Sequence, residues 1–112
     1  MTDLEPQWHV PPTELALSSD DVHVWRVPLE QPMARVRQLA QTLSDDERAR
    51  AGRFHLERDR RRFTVGRGVL RGIMGRYLGL EPDQVQFRYD LRGKPYLSEG
   101  SRDGALRFNL AH

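Results

Sequence analysis

The side chains in this sequence best suited to chemistry are its arginines. Ten of them (48, 50, 53, 58, 60, 61, 62, 67, 71 and 76) fall between residues 48 and 76 against only Glu57 and Asp59, a local net charge of +8. The preceding 47 residues carry nine acids against three arginines, net −6, and the last 36 balance five against five. A guanidinium stays protonated and presents a planar fork of donors that matches phosphate oxygens, so a compact block of them predicts a phosphate-rich or acidic partner. Seventeen of the eighteen basic residues are arginine and Lys94 is the only lysine. The base composition of a GC-rich genome accounts for that choice, but it would spread arginines evenly and does not account for the clustering. Three readings of the block stay open: a solvated helical face, a phosphate site for a small molecule, and a nucleic-acid surface.

Other chemistries find little support. The chain has no cysteine, which removes disulfides, thiolate nucleophiles and cysteine–zinc sites, and its four histidines (9, 23, 55, 112) are scattered. Gly66-Arg67-Gly68 lacks the Gly-Lys-Ser/Thr ending of a P-loop and lies inside a helical pattern, not after a strand. Asp45, Asp46 and Glu47 follow Ser44 as a capping sequence, so they read as partners of a helix start and not as a metal site. Apolar runs such as Val69-Leu70 and Ile73-Met74 fall far short of the roughly 20 residues a bilayer requires, so no membrane association is expected. The first residues, Met1-Thr2-Asp3-Leu4-Glu5, lack the basic start and apolar stretch of a signal peptide, and a cytoplasmic location is expected.

The elements that must position the arginines follow from periodicity. At 112 residues the chain is one small domain or one half of a two-part domain. Residues 1–20, with Pro6, Pro11 and Pro12 and no sustained period, are expected to form a loosely ordered leader. Val22 to Val27 alternates as a half-buried strand would, and Val36, Leu39, Ala40 and Leu43 place a short helix over Met33 to Leu43. Ser44 caps a second helix running to His55 or Leu56, with Glu47 at the capping-box position. The strongest pattern covers Glu57 to Leu78: Phe63, Leu70, Ile73, Met74 and Tyr77 form one stripe and Arg60, Arg67 and Arg71 flank it. Gly68, Gly72 and Gly75 gather on the opposite face, where either another backbone packs closely or a ligand approaches. Gly79 ends this helix, and short strands are expected at Val85–Tyr89, Pro95–Leu97 and Leu106–Leu110, with Asp90 to Pro95 as a turn or ligand loop.

Several of these segments together resemble the N-terminal half of the Sfp-type 4'-phosphopantetheinyl transferases. They are Leu43 to Phe54 (Leu-Ser-Asp-Asp-Glu-Arg-Ala-Arg-Ala-Gly-Arg-Phe), Asp59 to Phe63, Gly66 to Arg71, Gly93-Lys94-Pro95-Tyr96-Leu97, and Phe108-Asn109-Leu110-Ala111-His112. In this order the resemblance covers residues 21–112, which would then form the N-terminal lobe of the domain. It implies an α+β fold, one α/β lobe of a pseudo-twofold enzyme, with three helices packed on a small mixed, mainly antiparallel sheet. It implies transfer of the phosphopantetheine arm of coenzyme A to a serine of an acyl or peptidyl carrier protein, with Mg²⁺ at the pyrophosphate. By the same resemblance Gly93, Lys94 and Pro95 line the adenine, and Arg50, Arg53, Arg62 and His112 are candidates for the 3'-phosphate.

The departures are informative. Ala111 stands where the family usually has serine, and Glu47 where a basic residue can assist phosphate binding. The Gly-x-Asp and Trp-x-x-Lys-Glu-Ala segments that carry the family's metal ligands and catalytic base region are not among these residues. The expectation is therefore a coenzyme A-binding half with no catalytic or metal-binding residue of its own, its C-terminal lobe absent and its 112 residues incomplete for catalysis. Two alternatives from other classes are a basic helical module binding nucleic-acid phosphates and a non-catalytic interaction remnant. Within the transferase reading, nucleic acid is not an expected partner.

Overall fold

A computed structural model describes residues 23–98 together with Phe108 and Leu110. Three helices form: α1 (Met33–Gln41), α2 (Asp45–Gly52) and α3 (Glu57–Leu78). A 3-10 turn over Pro82–Gln84 leads into the hairpin of β1 (Phe87–Tyr89) and β2 (Pro95–Leu97). The two strands pair antiparallel, Phe87 opposite Leu97 and Tyr89 opposite Pro95. The architecture is the expected α+β lobe, with a sheet that is antiparallel among the described residues.

Local chemistry explains the helix ends. The Ser44 hydroxyl accepts from the Glu47 amide and the Ser44 amide donates to the Glu47 carboxylate at 2.9 Å, a complete capping box. At the other end of the helical region, Gly79 takes a left-handed φ of 69°, a conformation glycine adopts without steric cost, and the Leu80 amide donates back to the Gly75 carbonyl at 2.8 Å. That reversal lays the Leu80 carbonyl on Gly75, where a Cβ would sit only 2.5 Å from the oxygen. Gly68 performs the same service toward α1, since a Cβ there would meet the Leu39 side chain at 2.7 Å. At these two positions the glycine face is a packing surface, not an approach for a ligand.

Helix α3 buries two faces. One packs Val65 against Val36 and Leu39 of α1, with Val27, Leu29 and Val69 at the margin. The other packs Leu70 and Met74 against Val85, with Ile73, Tyr77, Phe87, Leu97 and Phe108 around them. The single stripe expected from the sequence is this second face, and the first was not anticipated. The strand expected over Val22 to Val27 does not form among its described residues. No described strand lies alongside to complete its ladder, so the segment instead leans on α1 and α3. Its alternation survives, with Trp25, Val27 and Leu29 half-buried and Val24 exposed. The indole N–H of Trp25 donates to the Tyr77 hydroxyl at 3.1 Å. Most of the expected strand at Leu106–Leu110 lies outside the described residues; Phe108 and Leu110 belong to no strand.

Candidate functional site

The arginine block is not one surface. Arg67 and Arg71, one turn apart on α3, are buried together with Glu47 of α2. Arg71 donates from Nε to Glu47 Oε1 at 2.6 Å and from Nη1 to the carbonyls of Pro82 (3.1 Å) and Val85 (2.5 Å). Arg67 Nη1 donates to Glu47 Oε2 at 3.1 Å and to the Tyr89 hydroxyl at 2.6 Å. Glu47 is 1% exposed, so its carboxylate has left water almost completely. Removing an ion from water costs several kcal/mol, and here two guanidiniums and the Ser44 amide offset it. The cluster carries one surplus positive charge, which meets carbonyl oxygens and ring faces. The Arg67 guanidinium carbon lies 5.2 Å from the centre of Phe63 and 5.6 Å from those of Phe87 and Tyr89.

Arg50 sits on the outer side of this cluster, near the end of α2. It is half-buried, with its guanidinium carbon 5.7 Å from the centre of Tyr89 and 6.0 Å from that of Phe63. Its Nη2 reaches the hairpin turn, where a Cβ on Gly93 would lie 3.7 Å away. Among the described residues Arg50 makes no ion pair, whereas Arg67 and Arg71 share Glu47, and Arg62 holds Glu30 at 2.8 Å. Arg50 thus presents an available cation beside a backbone turn, over an aromatic face.

The turn itself is fixed by Asp90. Its Oδ1 accepts from the amides of Arg92 (2.8 Å) and Lys94 (2.9 Å), and its carbonyl accepts from the Gly93 amide at 3.0 Å. Gly93 has φ 82°, so glycine is the residue that lets the turn close. Lys94 is exposed and Pro95 is buried at the start of β2, opposite Tyr89.

Of the residues named from the sequence, the structure brings Arg50 and Gly93 together, and Lys94 and Pro95 follow Gly93 along the chain. Arg53 is exposed at the C-terminal cap of α2, its amide donating to the Arg50 carbonyl at 3.2 Å. Arg62 is directed away, onto Glu30. His112 lies outside the described residues. Sequence reasoning did not find Arg67, Tyr89 or Glu47 as parts of one network. One signal was present for Arg67: at about 100° per residue it falls just beyond the edge of the Phe63–Met74 stripe, a position that buries its stem. No group of three acidic or histidine side chains that could hold a metal occurs among the described residues.

Comparison with known proteins gives a consistent picture. A family model described as 4'-phosphopantetheinyl transferase, N-terminal, matches residues 23–112. The 4'-phosphopantetheinyl transferase HetI of Nostoc sp. is 53% identical over 109 residues, covering 97% of this chain and 46% of that protein. A putative 4'-phosphopantetheinyl transferase of Synechocystis sp. is 36% identical over 89 residues, 80% of this chain and 35% of its own length. A phosphopantetheinyl transferase of Thraustochytrium sp. is 31% identical over 70 residues, 62% of this chain and 24% of its own length. The chain therefore spans less than half the length of the curated relatives it matches. No solved structure gives a significant match.

Proposed function

Because the chain belongs to the 4'-phosphopantetheinyl transferase family, whose N-terminal part it matches, we propose that it supplies the coenzyme A side of phosphopantetheinyl transfer to an acyl or peptidyl carrier protein. In that reaction a serine Oγ of the carrier bonds to the β-phosphorus of coenzyme A as its proton departs. The bond from that phosphorus to the bridging oxygen breaks, and 3',5'-ADP leaves. The part of residues 21–112, read as the N-terminal lobe behind a leader of residues 1–20, is to hold the nucleotide still, since positioning alone removes much of such a barrier.

The observation that carries this reading is Arg50, without a carboxylate partner among the described residues, lying against Gly93 and over Tyr89. A planar guanidinium in that place suits a phosphate oxygen pair. The turn Gly93-Lys94-Pro95, held in shape by Asp90, forms in this reading the edge against which the adenine end of the same ligand lies. Arg53 extends the cationic edge. Arg62 joins it only by releasing Glu30, a small cost for a pair whose side chains are 43% and 72% exposed. His112 completes the proposed set. The described residues offer Mg²⁺ no ligand cluster, and Glu47 is committed to two arginines, so no step is assigned to a metal on this chain. Metal ligands and the catalytic base belong, in this reading, to sequence beyond these residues, and the 112-residue polypeptide alone is expected to leave an apo carrier protein unmodified, which mass spectrometry checks. The working place is the cytoplasm. No helix among the described residues is long and apolar enough to cross a membrane.

Calorimetric titration of coenzyme A and of dephospho-coenzyme A into the chain tests the reading, because the two ligands differ only in the 3'-phosphate. Tighter binding of coenzyme A, by about tenfold or more for one well-formed charged contact, is expected. Equal affinities reject the 3'-phosphate assignment, and a stronger, steeply salt-dependent affinity for single-stranded RNA would favour the nucleic-acid alternative.

A further inference from the structure

The buried ion cluster reaches the proposed ligand face by a hydrogen bond to Tyr89, beside the ring of Phe63 that Arg67 and Arg50 share. Tyr89 receives a hydrogen bond from Arg67 on its hydroxyl, lies 5.7 Å below the Arg50 guanidinium with its ring, and pairs in register with Pro95. Glu47 anchors the other end: it is on α2, the same two-turn helix that carries Arg50, and it accepts from Arg67 at 3.1 Å. Arg67 therefore joins the helix that bears Arg50 to the hairpin that bears Gly93, Lys94 and Pro95. A core held together by packing alone would not require this. The apolar base of Leu70, Met74 and Val85 already packs α3 against the hairpin and the chain leading into it, while the hydrogen-bonded path from Glu47 through Arg67 to Tyr89 adds the direction and distance between α2 and the hairpin that non-directional packing does not specify.

We infer that Arg67 is a positioning residue for nucleotide binding, acting through the Tyr89 hydroxyl to hold Arg50 and the Gly93-Lys94-Pro95 turn at a fixed separation. The inference rests on the coenzyme A reading above and adds to it a residue that touches no ligand. Arg67→Ala is the wrong probe, because it removes one of the two cationic partners of a buried carboxylate and lowers the folded population. Tyr89→Phe keeps the ring beneath Arg50 and deletes only the hydroxyl that Arg67 addresses. The decisive quantity is the ratio of coenzyme A to dephospho-coenzyme A affinity, which a general loosening of the fold lowers equally for both ligands and leaves unchanged.

Calorimetry on the unmutated chain, Tyr89→Phe, Arg50→Ala and the double variant, with thermal unfolding of each as control, tests it. Tyr89→Phe is expected to shrink the ratio roughly fivefold, the worth of about one hydrogen bond, while Arg50→Ala shrinks it about tenfold or more, the worth of one charged contact, and the double variant matches Arg50→Ala alone. Tyr89→Phe with an unchanged ratio, or a double variant whose loss is the sum of the two single losses, overturns the positioning role while the coenzyme A reading stands. Arg50→Ala with an unchanged ratio overturns it as well, since Arg67 would then have nothing to position. Equal affinities in the unmutated chain instead reject the reading on which it rests.

Discussion

The two sides of α3 are made from one continuous helix yet differ in kind. Toward α1, Val65 meets Val36 and Leu39 in a dry contact, and Gly68 lets the Leu39 side chain come down onto the helix backbone. Toward the hairpin, an apolar base of Leu70, Met74 and Val85 gives way to Glu47, Arg67 and Arg71 among the rings of Phe63, Phe87 and Tyr89. The first side is stabilised by area and fit and tolerates apolar substitutions that fill the same volume. The second places charge where it is expensive, and only its full set of partners keeps it there. A dry face can fix a fold, but only the charged one fixes where an outward guanidinium stands. The difference therefore separates substitutions that change stability from those that also change recognition.

The largest break should come from the charged side. Glu47→Ala leaves two buried guanidiniums without their shared carboxylate, and chemical denaturation should show a loss of about 3–5 kcal/mol. Leu39→Ala, on the dry side, opens a cavity beside Val65 and is expected to cost about 2–5 kcal/mol, with the coenzyme A preference of the remaining folded protein intact. Gly68→Ala is expected to cost roughly 1–3 kcal/mol by overpacking, because the new Cβ meets the Leu39 side chain at 2.7 Å and its carbonyl at 3.2 Å. It too should leave ligand preference unchanged. Gly93→Ala sharpens the contrast from the other direction: forcing φ 82° on alanine costs only about 1–2 kcal/mol, yet it disturbs the turn beside Arg50 and should weaken coenzyme A binding in calorimetry.

How much of this was legible in the sequence depended on whether a feature was local. The Ser44–Glu47 box and the Glu57–Leu78 helix with its Gly79 stop were readable because each is written within a few residues. The Asp90–Pro95 turn was readable for the same reason. The second buried face of α3 was hidden because Val65 and Val69 are separated by glycines that look like weak points until α1 is laid against them. The segment beginning at His23 alternates like a strand, but a strand also requires a neighbour, and alternation cannot supply one. Glu47 read as a capping acid, which it is; its second role depends on Arg67 and Arg71, 20 and 24 residues along the chain. No periodic pattern connects such positions. Of the proposed phosphate set, the types were visible in the arginine block, while the division between arginines held by Glu47 or Glu30 and one left facing the turn emerged only from the packing.

On the coenzyme A reading the hairpin side of α3, and not the α1 side, receives the ligand. This is tested most directly by adding coenzyme A to isotope-labelled chain and following backbone amide and arginine Nε signals by NMR. Arg50 Nε and the amides of Gly93 and Lys94 are expected to shift as ligand is added, while those of Val36, Leu39 and Val65 hold their positions. Shifts centred on Val36, Leu39 and Val65, or a titration that leaves Arg50 and Gly93 unmoved, would contradict it.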